Sequence, residues 1–247
     1  MEFRDVSFHY PSSPKEVLSH ISFRVERGQT LAIIGATGSG KTTLISLIAR
    51  FYDATGGQVL VDGADVREYA FDALYDRLGY VTQRAVLFSG DVESNVRFGQ
   101  SAGDASEEAV YRALDLAQAT EFVAKLPQGI HAPIAQGGAN VSGGQKQRLS
   151  IARALARQPE ILIFDDSFSA LDYRTDARLR AGLARELGDT TRIIVAQRIG
   201  TIRDADQILV LDEGKAVGMG THEELMKTCP VYQEIARSQL SSEELGA

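Results

Sequence analysis

The stretch from Leu31 to Phe51 limits the fold more than any other part of the chain. Leu31-Ala32-Ile33-Ile34 is a short apolar run that stops at glycine, the pattern of a strand buried on both faces of a parallel sheet. Gly35-Ala36-Thr37-Gly38-Ser39-Gly40-Lys41-Thr42 follows, and then Leu44, Leu47, Ile48 and Phe51 recur at helical spacing. A strand, a glycine-rich loop and a helix in that order demand an α/β fold. Gly35 and Gly40 permit close backbone approach, so that successive N–H groups converge on an anion. The helix adds the positive end of its dipole. In this pattern Lys41 reaches the β- and γ-phosphates of a nucleotide and the Thr42 hydroxyl ligates Mg²⁺. Thr37, Gly38, Ser39 and Thr43 complete the expected phosphate cradle, so the loop predicts Mg-ATP binding.

The rest of the chain fits a large α/β core interrupted by a helical insertion. Glu2 to Phe8 and Ile21 to Val25 alternate apolar and polar residues and predict antiparallel strands. Val59 to Asp62 and Gly79 to Thr82 predict further strands, the latter leading to Gln83. From about Asp91 to Gln158 the pattern turns helical, with helices expected over Glu107–Ala119, Thr120–Leu126 and Gly144–Arg157. Ile161–Phe164, Arg192–Val195 and Gln207–Leu211 return to strand, with a helix expected over Arg174–Leu187. Closing helices are expected over Glu223–Met226 and Val231–Leu240, with 241–247 fraying. The expected division is 1–83 with 159–247 for the β subdomain and core, and 84–158 for the helical subdomain.

Bulk properties exclude several classes. With 26 basic and 33 acidic residues the net charge is −7, which argues against a broad nucleic-acid surface. The single cysteine, Cys229, cannot form an internal disulfide and points to a reducing compartment. No run approaches the ~18 apolar residues of a membrane span.

Two further motifs carry chemistry. Ile161-Leu162-Ile163-Phe164-Asp165 is an apolar strand ending in a carboxylate at the sheet edge, where Asp165 can hold Mg²⁺ through water. In Val141-Ser142-Gly143-Gly144-Gln145, Ser142 can cap the next helix while Gly143 and Gly144 expose N–H groups, a second anion site.

Together these motifs resemble the nucleotide-binding domain of ABC transporters from about Glu2 to Gln239, with Ser142-Gly143-Gly144-Gln145 and the following Lys146-Gln147-Arg148-Leu149-Ser150-Ile151-Ala152-Arg153 most specific. The resemblance implies a RecA-like P-loop core, an antiparallel β subdomain and an inserted α-helical subdomain. It implies that Tyr10 stacks on adenine, that Gln83 links the Mg²⁺ site to a transmembrane partner, and that Ser169-Ala170-Leu171-Asp172 crosses a dimer interface. Two ATP molecules would lie in a head-to-tail dimer, each between one chain's phosphate loop and the other's signature. Val86-Leu87-Phe88-Ser89-Gly90 and the ending Val231–Gln239 look like exporter-type domains, which work at the cytoplasmic face of the membrane behind a membrane domain. Gln136 stands where the family more often has an acidic residue.

Two positions depart from the family pattern. Asp166 stands where a Glu polarises the attacking water, and it is shorter by one methylene, roughly 1.5 Å. Errors near 1 Å can cost on the order of 100-fold in rate. Gln197 replaces the His that contacts the γ-phosphate, and it carries no charge and no titratable proton. With the signature intact, the pair suggests the degenerate half of a heterodimeric exporter, paired with a non-identical domain that brings its own Glu and His. A competent homodimeric transport ATPase with Asp166 as base is the alternative. An ABC ATPase acting on DNA or ribosomes fits less well, given the acidic balance and the exporter-like segments.

Overall fold

The structure is a computed structural model that describes residues 1–99 and 106–240; the fraying expected of 241–247 lies outside the described residues. The chain opens with β1 (Glu2–His9) and β2 (Glu16–Arg24), then runs through β3 (Thr30–Ile34) and α1 (Lys41–Ile48). It continues with β4 (Gly56–Val61), β5 (Ala64–Asp65), α2 (Phe71–Arg77) and β6 (Leu78–Val81). A mainly helical block follows: β7 (Gly90–Asp91), α3 (Val92–Val96), α4 (Glu107–Leu116), α5 (Thr120–Val123), β8 (Pro133–Ile134) and α6 (Gly143–Ala156). The final third comprises β9 (Ile161–Asp165), α7 (Tyr173–Glu186), β10 (Thr191–Val195), α8 (Ile199–Ile202), β11 (Gln207–Asp212), β12 (Lys215–Gly220), α9 (His222–Thr228) and α10 (Pro230–Gln239).

Six strands form the central sheet in the order β12-β11-β3-β10-β9-β6, parallel except for the β11–β12 pair. A separate antiparallel sheet runs β2-β1-β4-β5. The period-2 geometry of a strand explains why the central runs are apolar throughout. Leu31 and Ile33, Ile161 and Ile163, and Ile193 and Val195 face a core shared with α1 and the antiparallel sheet. Their neighbours Ala32 and Ile34, Leu162 and Phe164, and Ile194 and Ala196 face the other core, shared with α6, α7 and α10. Both faces are therefore covered, and only the strand ends are open to ligands.

The parallel register brings four of those ends together. Ile33 pairs with Val195, Val195 with Asp165, and Val81 with Phe164. The loops leaving β3, β6, β9 and β10 thus emerge at one edge. β12 was not predicted: Gly218 and Gly220 break any alternation, and most of its side chains are exposed.

Candidate nucleotide site

At that edge the phosphate loop needs glycine for physical reasons. A Cβ on Gly35 would lie 2.1 Å from the Leu211 carbonyl oxygen. Gly40 caps α1 at φ 102, and a Cβ there would meet the Leu18 side chain at 2.7 Å. The loop therefore lies close against β11 and β2, and it surrounds a cleft of ≈ 380 Å³. Thr37, Gly38, Lys41, Thr42, Gln83, Asp165, Asp166 and Gln197 contribute to its lining, so most of the residues singled out in sequence meet in one place.

Lys41 turns its ammonium onto the loop's own backbone, donating to the Gly35 and Ala36 carbonyls at 2.8 Å each. Burial lowers its pKa, and Asp166 and Asp165 oppose that shift. Thr42 Oγ1 donates to Asp165 Oδ1 at 3.1 Å, which joins the hydroxyl and the carboxylate expected to serve the cation. Tyr80, which sequence reasoning passed over, donates to Asp165 Oδ2 at 3.4 Å. Burial and then the Asp165 charge push the Tyr80 phenol far above its usual pKa, so it stays a donor.

Asp166 follows the strand in a left-handed conformation, φ 46, with its N–H bonded to the Val195 carbonyl at 3.0 Å. Such a φ is uncommon for a residue with a side chain. It turns the carboxylate into the cleft, where Oδ2 accepts from Gln197 Nε2 at 2.7 Å and from Gln83 Nε2 at 3.0 Å. Burial raises the pKa of both neighbouring carboxylates. For Asp165 the Thr42 and Tyr80 hydroxyls oppose it, and for Asp166 the amides of Gln197 and Gln83 do.

The residues fit a hard cation bound with a nucleotide. Among the described residues no cluster of three or more His, Cys, Asp or Glu side chains could hold a metal ion. Mg²⁺ beside phosphate, however, needs only one or two protein oxygens, which the adjacent Thr42 and Asp165 could supply. Gln83, also singled out for the metal, donates to Asp166 through its Nε2.

Gly40 and Thr43 also line the cleft, whereas Tyr10, Gly35, Ser39, the Ser142–Gln145 signature and Asp172 lie outside that lining. Tyr10 packs edge-on against Phe8 and Tyr52, with its hydroxyl 2.9 Å from Thr43 Oγ1 on α1. Ser142 caps α6 reciprocally: its Oγ accepts from the Gln145 N–H at 3.3 Å and its own N–H donates to Gln145 Oε1 at 2.9 Å. The Cα of Gly143 faces open space, and a Cβ on Gly144 would stand 3.5 Å from the Ala170 carbonyl. The signature and the 169–172 loop are therefore neighbours. Asp172 caps α7 through the Thr175 N–H at 3.0 Å and its hydroxyl at 2.7 Å. Buried Gln147 ties α6 to the Thr82 carbonyl at 3.2 Å, one residue from Gln83.

This fold and site define a P-loop nucleotide-binding domain with a second, outward-facing glycine motif. Residues 18–169 match the ABC transporter family, and the chain belongs to it as an ATP-binding domain of exporter type. It is 50% identical over 241 residues to an uncharacterized ABC transporter ATP-binding protein of Mycobacterium tuberculosis, covering 97% of this chain and 41% of that relative. It is 42% identical over 243 residues to an ATP-dependent lipid A-core flippase of Aromatoleum aromaticum, covering 98% of this chain and 40% of the flippase. A bacterial Atm1-family ABC exporter solved with ATP bound superposes with a TM-score of 0.92 at 38% identity, over 97% of this chain and 42% of that one. The chain thus spans about two fifths of the length of these relatives. No helix among the described residues is long and apolar enough to cross a membrane.

Proposed function

We propose that this domain binds Mg-ATP in a site of low hydrolytic power, and that its signature completes the active site of a non-identical partner in an exporter. The observation that carries this reading is the paired amide contact on Asp166. In the cleft, loop N–H groups and Lys41 bind the phosphates, Lys41 exchanging the Gly35 and Ala36 carbonyls for phosphate oxygens. Thr42 and Asp165 would hold Mg²⁺, which would neutralise charge on the phosphates. Polarising a water requires the Asp166 carboxylate to turn from two neutral donors, with a side chain one methylene short of Glu. Gln197 donates a hydrogen bond but cannot bring a positive charge to the γ-phosphate.

Ser142–Gln145 leads an exposed, well-capped helix start, which suits an anion presented by a second nucleotide-binding domain. Next to the Gln83 loop, a cleft of ≈ 340 Å³ lined by Phe51, Tyr75, Tyr80, Phe88, Phe98 and Ala154 suits an apolar segment of a transmembrane domain. In this reading the domain works at the cytoplasmic face of a membrane as the ATPase part of a transporter. The reading in which the chain works as a competent homodimer rests on the carboxylate that Asp166 retains.

Complementation tests the pairing. A copy carrying Asp166→Glu, Gln197→His and Ser142→Arg has a repaired site but no working signature. Alone it is expected to be silent; mixed with the native chain, turnover should exceed the sum of the separate chains. Turnover equal to the sum, with ATP binding intact in both, would refute the pairing. Full turnover by the native chain alone would favour the homodimer.

A further inference from the structure

We infer that Gln239, at the end of α10, is a positioning residue for the γ-phosphate side of the site. Its carboxamide makes two bonds to one short segment. Nε2 donates to the Gln197 backbone carbonyl at 2.7 Å, and Oε1 accepts from the Ile199 N–H at 2.9 Å. Ile199 begins α8 and is fully buried, and Arg198, its N-cap residue, gives no side-chain cap. Gln239 therefore supplies the cap from 40 residues away and grips the backbone on both sides of Arg198. Gln197 in turn bonds Asp166 at 2.7 Å, so a shift of the 197–199 backbone moves the hydrogen-bond donor on the hydrolytic carboxylate.

The grip has a rigid origin. Tyr232 and Ala236, one turn apart on α10, are fully buried, and partly buried Ile235 and Leu240 pack on the same core. This seats the helix before its last residue reaches the site. Gln239 itself is exposed, so its bonds contribute little to global stability. Losing them costs geometry rather than folding, and errors of about 1 Å at such a segment are felt in transition-state or γ-phosphate contacts. The contact is to backbone atoms of 197 and 199, so it persists whether position 197 carries Gln or His.

The inference rests on the reading of Gln197 as the γ-phosphate contact, and the test separates the two. Binding of Mg-ADP and of Mg·β,γ-imido-ATP to the 247-residue chain is measured by calorimetry for the native protein, Gln239→Glu, Gln239→Ala, Gln197→Ala and the Gln239→Glu/Gln197→Ala double variant. Gln239→Glu keeps an acceptor for Ile199 but sets a carboxylate against the Gln197 carbonyl. It should weaken the imido nucleotide about threefold to tenfold, leave ADP within twofold, and leave the melting temperature unchanged. Adding Gln239→Glu to Gln197→Ala should change nothing further, the signature of coupled residues. Gln239→Ala should give the same selective loss. If Gln197→Ala loses the preference for the triphosphate while both Gln239 variants keep it, the positioning role is wrong. If Gln197→Ala itself leaves the preference intact, the site reading falls and this inference with it. Equal losses for both nucleotides, with a lowered melting temperature, would make Gln239 merely structural.

Discussion

Asp165 and Asp166 are adjacent, nearly equally buried carboxylates at the end of one strand, yet their neighbours differ in kind. Asp165 accepts from two hydroxyls, Thr42 and Tyr80. A hydroxyl oxygen can turn to ligate a cation, so that pair converts readily into a metal site. Asp166 accepts from two carboxamide nitrogens, which can hold a carboxylate but can neither ligate a cation nor take up a proton. On the proposed function, one side of the cleft is equipped for binding and the other is restrained where hydrolysis needs a free base. On the same reading, nucleotide binding and nucleotide cleavage are separable here because two adjacent carboxylates at one strand end meet donors of different kinds.

The largest effect should come from removing the shared requirement. Lys41→Ala deletes a charge-assisted contact of about 1.5–3 kcal/mol and should weaken ATP binding about 10- to 100-fold, read by calorimetry. If binding survived, the cleft would not be the nucleotide site. Asp165→Asn sharpens the contrast from the binding side. It should cost on the order of tenfold in ATP affinity with Mg²⁺ present and little in its absence, because only the cation contact is lost. An equal loss without Mg²⁺ would give Asp165 a different role. Gln83→Ala acts on the other carboxylate and should leave ATP affinity within about twofold, since it removes one amide from Asp166 and nothing from the phosphate cradle. The smallest effect concerns the outward motif. Ser142→Ala removes one helix cap, costing about 1 kcal/mol, or about 2–4 °C in melting temperature, while ATP binding by the isolated chain is unchanged.

The binding half of this comparison was legible in the sequence because its parts are contiguous. Gly35 to Thr42 form one loop, and Ile161 to Asp165 is one buried run whose end must lie at the sheet edge. The departures at Asp166 and Gln197 were legible only against the family pattern, and their mutual hydrogen bond was not legible at all. Tyr80 was passed over because an aromatic in an apolar strand looks like core, and only the β6–β9 pairing brings its hydroxyl to Asp165. Gln239 was invisible for a related reason: it sits 42 residues from Gln197, and packing of α10, not local pattern, sets their contact. The edge strand β12 escaped because its exposed, glycine-interrupted sequence carries neither period.

The most direct test of the restrained carboxylate is a single-turnover assay. The native chain and Asp166→Glu/Gln197→His are loaded with limiting Mg-ATP, and the conversion of bound ATP to ADP is followed by acid quench. Conversion in the native chain should be at least tenfold slower at comparable ATP affinity. Equal rates in the two proteins, with native conversion abolished by Lys41→Ala, would contradict the restraint and make Asp166 a working base.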